Sequence, residues 1–206
     1  MRTVPDLAAE RALWGQGTAF VAGIDEVGRG PLAGPVAAGA VILPPISRIA
    51  GKFRWLRRVN DSKQLLPAVR EELSGYIWEH ALAAGVGFVS VMTIDRIGIA
   101  EASRQAWLGA IAELAVKPAH LLLDAFPLPA CRLPQTPIIG GDGKSMSIAC
   151  ASIIAKVARD AMMQKCAEKY PAYQFDKHKG YGTKLHFELI KKHGMSPIHR
   201  RSFLKK

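Results

Sequence analysis

The sequence has little cysteine, few acids and no long apolar run. Cys131, Cys150 and Cys166 are its only cysteines. An odd number without CxxC spacing argues against a disulfide framework and against a zinc ribbon. Such usage fits a reducing compartment. The longest apolar stretch, Leu32 to Leu43, is broken by Gly34, Pro35 and Gly39. It falls short of the ~20 residues that a bilayer span needs. The amino end carries Pro5, Asp6 and Glu10, with no charged-then-apolar pattern of a secretory leader. The expectation is a soluble, cytosolic protein with no membrane partner. Acids number 17 against 28 Lys and Arg in 206 residues, a net charge of +11. The isoelectric point is near 9.8. That balance favours polyanions, nucleic acid ahead of anionic membrane surfaces. No Ser/His/Asp or Cys/His grouping has a spacing that points to nucleophilic catalysis.

What is present is organised around Phe20 to Leu43. The apolar run Phe20-Val21-Ala22-Gly23-Ile24 ends in Asp25 and Glu26, turns through Gly28-Arg29-Gly30-Pro31, and rises again from Val36 to Leu43. Two strands joined by a loop explain the pattern. Two more apolar segments also end in acids. His120-Leu121-Leu122-Leu123 runs into Asp124, and the short strand Thr136 to Ile139 is followed by Asp142. Desolvating a lone carboxylate is costly, and four converging carboxylates raise one another's pKa unless cations stand between them. Hard divalent cations with oxygen ligands, Mg²⁺ or Mn²⁺, answer that need. A pair of them ~3.5–4 Å apart is the clamp used in phosphodiester chemistry.

Strands and helices alternate after the first hairpin. A helical lead-in is expected over residues 1–17. Helices follow from about Pro67 to Ala83, stopped by Gly85, from Thr93 to Leu114, and from Ser145 to about Tyr170, with a strand over Val86 to Val91. The pattern predicts an α/β protein, a mixed sheet flanked by helices, and the length predicts one domain. Gly143-Lys144-Ser145 resembles the end of a P-loop, but that motif needs a glycine where Ile138 stands. Lys144 is instead expected beside Asp142, at a helix N-terminus able to meet a phosphate. Asp160 is expected to pair with Lys156 or Arg159, and His178 to be a surface or packing residue, with a phosphate contact as the alternative. Two basic segments, Arg48–Arg58 with Phe53 and Trp55 interleaved, and Asp176–Lys206, are candidate contacts to a nucleic-acid backbone.

GIDEVGRGPLAGPV, NDSK, LLLDAF, GD, SIACASIIAKVARD, HKGYGT and HRRSF, in that order along nearly the whole chain, resemble ribonuclease HII of the bacterial type. The resemblance implies a ribonuclease H-like five-stranded sheet with a small C-terminal helical extension. It implies an endonuclease dependent on Mn²⁺ or Mg²⁺ that cuts 5′ to ribonucleotides in RNA–DNA hybrids and in DNA duplexes. The expected products are 3′-hydroxyl and 5′-phosphate ends. By the same resemblance Asp25, Glu26, Asp124 and Asp142 are the catalytic and metal-binding acids. Gly28-Arg29-Gly30 senses the ribose 2′-hydroxyl, and Tyr181 stacks on the neighbouring sugar. Ser62 and Lys63, in NDSK, are placed at the substrate. The family's lysine two residues before its fourth acid is replaced by Gly140. Nothing in the sequence marks a dimer seam, so a monomer is expected. The rival readings are a non-catalytic duplex-binding protein with a structural ion, a related nuclease that cuts all-DNA junctions, and, more remotely, a nucleotide hydrolase.

Overall fold

A computed structural model describes residues 4–204. Its centre is a five-stranded mixed sheet in the order β3-β2-β1-β4-β5. Strands β1 (Val21–Val27) and β2 (Val36–Ile42) form the expected hairpin, paired antiparallel from Ala22↔Ile42 to Val27↔Ala37. β3 (Ala83–Val89) lies antiparallel to β2 at one edge. β4 (His120–Asp124) runs parallel to β1, and β5 (Gln135–Ile138) parallel to β4.

Helices cover both faces because both faces of the central strands are apolar. Residues 36, 38, 40 and 42 of β2 face α4 (Ile99–Ala112), where Ala102, Ala106, Trp107 and Ala110 meet them. Val41 faces the other way, toward α5 (Met146–Lys169) and α2 (Pro67–His80). The first half of α5 is buried all round, as its run of small apolar residues predicts. It lies so close to the sheet that a Cβ on Gly23 or Gly39 would overlap its backbone at Ser147 and Ala151.

Two boundaries differ from the pattern reading. The stretch read as one helix over 93–114 is two, α3 (Val91–Ile97) and α4, parted at Gly98, whose φ of +79° suits glycine. α2 stops at His80, so Gly85 is no helix stop. It lies inside β3, where a Cβ would strike the α4 carbonyl of Ala110. Glycine there signals close packing of strand on helix.

After α5 the chain folds back as α6 (Phe175–His178), α7 (Lys184–His193) and α8 (Arg201–Leu204). This is the small C-terminal extension. It packs under the loop between β1 and β2 through hydrogen bonds from Leu32 N to Gly180 O and from Arg200 N to Leu32 O, each 2.8 Å. α1 (Ala8–Gly15) is the helical lead-in, of which residues 1–3 lie outside the described residues, as do Lys205 and Lys206 of the basic tail. Among the described residues no helix is long and apolar enough to cross a membrane.

Candidate active site

Strand alternation decides where the first two acids go. Asp25 points toward α5 and Glu26 toward α4, because successive residues of a strand face opposite sides. Asp25 is 4 % exposed. Its carboxylate accepts the Glu26 backbone N–H at 2.7 Å and interacts with the Ser152 hydroxyl. Glu26 accepts from Arg29 at 2.9 Å and from the Trp107 indole N–H at 2.8 Å. Parallel pairing sets Ile24 beside Leu123. One step further, Asp25 and Asp124 leave adjacent strands side by side. Asp124 accepts the Gly141 N–H at 2.7 Å. Asp142 arrives on a single 3₁₀ turn, Gly141–Gly143, and lies 3.3 Å from Lys63 Nζ.

Burial dominates the electrostatics. It pushes the Asp25 carboxyl well above its ordinary range, and Glu26, Asp124 and Asp142 push it further. Burial also raises Glu26, although Arg29 and Trp107 pull it down. Asp124 is raised by burial and by Asp142, against the Gly141 N–H and Lys63. Burial works against the Lys63 charge, but Asp142, Asp61 and Asp25 outweigh it and raise its pKa.

One cleft of about 310 Å³ gathers Asp25, Glu26, Asp124 and Lys63 with Gly28, Arg29, Gly30, Ser62 and Tyr181. Asp142 borders it through Lys63. All ten residues singled out in the sequence therefore converge. The donor set is four carboxylates, and the most buried of them has no ion-pair partner among the described residues. That chemistry fits a hard divalent cation. No three of these side chains stand ready-made around an ion among the described residues. Glu26, Asp124 and Asp142 are instead turned to Arg29, the Gly141 N–H and Lys63.

Several expectations are corrected. Lys144 is not beside Asp142. Its ammonium donates to Ile139 O at 2.8 Å, and Lys63 is the cation at Asp142. Nor is the α5 N-terminus open to a phosphate, because the buried Glu10 carboxylate already accepts from Ser145 Oγ, Ser147 Oγ and Ser147 N. Trp55, interleaved in the basic segment Arg48–Arg58, is no part of a backbone-contacting surface: it is buried and stacks on Tyr76. Asp160 pairs with Lys156 at 2.7 Å and with Arg70 at 3.8 Å, not with Arg159. His178 is buried and bonded to Tyr173 O, as a packing residue would be.

The family pattern described as ribonuclease HII matches residues 22–206. The chain is 55% identical to the Ribonuclease HII of Bacillus anthracis over 194 residues, covering 94% of this chain and 72% of that one. The chain belongs to the ribonuclease HII family. It is an endoribonuclease of the ribonuclease H kind. Two solved structures are similar in shape. The ribonuclease H2 of Pyrococcus horikoshii has a TM-score of 0.72 at 29% identity, covering 88% of this chain and 92% of that one. The RNase HII of Archaeoglobus fulgidus, solved in a complex with PCNA, has 0.72 at 27% identity, covering 91% and 96%.

The Gly28-Arg29-Gly30 loop is held from below by two arginines that the sequence reading assigned to an ion pair and to the phosphate-contacting tail. Both are fully buried. Arg159 donates to the carbonyls of Pro35, Ala33 and Lys179. Arg200 donates to those of Gly28, Arg29 and Gly34 at 2.6, 2.8 and 3.0 Å. Gly28 has φ +87°, and a Cβ there would strike the Arg159 guanidinium. Glycine is thus required twice over. Ser152 and Trp107 were also missed as partners of the acids. A hydroxyl in the all-apolar half of α5 was the available signal for Ser152.

Proposed function

We propose that the chain hydrolyses the phosphodiester 5′ to ribonucleotides, both in RNA–DNA hybrids and at single ribonucleotides in duplex DNA. The products would be 3′-hydroxyl and 5′-phosphate ends. The observation that carries this reading is the single cleft in which the carboxylates and the Gly28-Arg29-Gly30 loop share a wall. Asp25, Glu26, Asp124 and Asp142 would hold two Mn²⁺ or Mg²⁺ ions. When bound, these ions supply the charge that activates water and stabilises the leaving oxygen in in-line displacement.

The protein's own groups do the selection. Gly30 has no heavy atom within 4 Å of where a Cβ would stand, so its backbone is open to a sugar. The 2′-hydroxyl, donor and acceptor at once, is what such a backbone can read. Arg200 and Arg159 fix that loop from beneath. The Tyr181 ring, 41 % exposed, would pack on the next sugar. Lys63 Nζ lies 3.3 Å from Asp142; with that carboxylate holding an ion, the Lys63 ammonium would be free to meet a phosphate. Ser62 acts through its hydrogen bond of 2.9 Å to Ser152, which in turn meets Asp25. We further infer a monomeric, cytoplasmic, single catalytic domain that removes ribonucleotides from DNA.

The test offers three duplexes: DNA with one ribonucleotide, DNA alone, and an RNA–DNA hybrid, each with Mn²⁺, Mg²⁺ or chelator. Cleavage of the first and third with either ion, and of none with chelator, is expected. Cleavage of DNA alone, or binding without cleavage, would replace this reading with one of its rivals.

A further inference from the structure

On the α4 side of Glu26 lies a second, smaller cavity of about 130 Å³. Its lining is Arg29, Ala100, Ser103, Arg104, Trp107 and Phe126. Arg29 is shared with the main cleft, so the two hollows are neighbours across one guanidinium. Four features of the small cavity are unexplained by the chemistry described above.

The Ser103 hydroxyl is buried and has no hydrogen-bond partner among the described residues. An orphaned buried hydroxyl is costly and calls for a reason. Arg104 makes only an i,i+3 contact of 3.3 Å with Glu101, both half exposed, a pairing worth little. Phe126 is 54 % exposed beside these cations, with the Arg29 guanidinium 5.9 Å from its ring centroid. The turn that puts it there is strained. Ala125, directly after Asp124, has φ +65°, and the Phe126 N–H reaches back to Asp124 O at 2.9 Å. A left-handed alanine persists only where its surroundings enforce it, and such residues gather at functional sites.

We propose that this cavity is a subsite for the phosphate and sugar of the nucleotide that flanks the scissile bond. Arg104 and Arg29 take the phosphate, Ser103 donates its hydroxyl to a phosphate oxygen, and the Phe126 ring packs on the sugar. The inference rests on the nuclease reading of the adjoining cleft. It adds to that reading a contact on the α4 face, opposite the α5 face toward which Asp25 points. Because Arg29 also binds Glu26, filling the subsite would draw the guanidinium toward the phosphate and loosen its hold on that carboxylate.

The test measures binding and cleavage separately, with duplexes carrying one ribonucleotide and a single uncharged methylphosphonate at successive positions around it. At one position adjoining the scissile bond, neutralising the phosphate should weaken wild-type binding roughly tenfold. In Arg104→Ala the same replacement should cost clearly less, because one of the phosphate's two cationic partners is already gone. Arg104→Lys should recover part of the loss. Ser103→Ala should weaken binding several-fold while leaving the melting temperature unchanged or higher, since it removes an unpaired hydroxyl. If every phosphate couples equally to Arg104→Ala and to wild type, the subsite does not exist. A Ser103→Ala protein that melts earlier with unchanged affinity would also overturn it. Neither result touches the cleavage assay above, which fails or succeeds on the wild-type chain alone.

Discussion

Asp25 is 4 % exposed, has no ion pair among the described residues, and shares its surroundings with Glu26, Asp124 and Asp142. Burial and those three neighbours all disfavour its charge. Such a carboxylate destabilises the ion-free fold, and an ion held beside it, as proposed, would neutralise it, an exchange of stability for function. Asp25→Asn keeps the shape and removes the charge. It should raise the melting temperature in chelator by a few degrees, corresponding to about 1–2 kcal/mol for a chain of this size. Cleavage should fall by about two orders of magnitude or more, judged from the effect of losing metal-orienting groups. Thermal unfolding with chelator and with Mn²⁺ checks both halves. A variant that melts lower in chelator, or that gains as much from Mn²⁺ as wild type, would take Asp25 out of the ion site.

At the scale of elements, the Tyr181 loop is held by three buried histidines between α6, α7 and α8. His199 Nδ1 accepts from the Ser196 N–H at 2.8 Å, which leaves its proton on Nε2. That proton faces His186 Nε2 at 3.0 Å, so His186 carries its own on Nδ1 and donates to Tyr181 O at 2.9 Å. His178 accepts the Gly180 N–H on Nδ1 and stacks on His186 at 4.1 Å. All three are neutral in this arrangement. Burial, with His178 and His199 beside it, lowers the His186 pKa to about 4. Burial lowers His178 and His199 too. The unfolded chain therefore binds more protons than the native one below the ordinary histidine range. Stability from these groups is complete above about pH 6.5. It is lost as pH falls toward 4, with His186 alone worth on the order of 3 kcal/mol. Ring-proton NMR should show the His186 signals unchanged from pH 8 to 5. A midpoint near 6.5 would break the network. HKGYGT and HRRSF were legible as motifs, yet not as one network, because the sequence separates His178 and His199 by a helix. Strand-end acids were legible for the opposite reason: an apolar run ending in Asp needs no partner to be noticed. Arg159 and Arg200 were illegible because a buried arginine held by carbonyls has the same letter as a solvated one.

For the whole molecule, the net charge of +11 overstates what is available to a duplex. Arg159 and Arg200 spend their donors on buried carbonyls, Arg58 on Glu72, and Lys156 on Asp160. Among the described residues, exposed cations outside any ion pair include Lys177, Lys191, Lys192 and Arg201 on α7 and around it, with Lys52 and Arg54 on the 3₁₀ helix Gly51–Arg58. These are single point charges with no base-reading geometry, so they position the duplex and carry no sequence information. Each phosphate they neutralise contributes about −0.9 to the slope of log affinity against log salt. Wild-type binding should thus weaken steeply between 50 and 200 mM salt, by roughly 10²-fold or more if about four phosphates are engaged. Removing two charges with Lys191→Ala and Lys192→Ala should make the slope shallower by about 1–2. On the proposed reading the loss should be the same for a duplex with one ribonucleotide and for DNA alone, because there the Gly28-Arg29-Gly30 loop and Tyr181 tell the two apart. Fluorescence anisotropy in chelator, where nothing is cut, measures both duplexes side by side. A flat salt curve would remove the electrostatic role. A loss confined to the ribonucleotide duplex would move the discrimination of the sugar away from the cleft and onto α7.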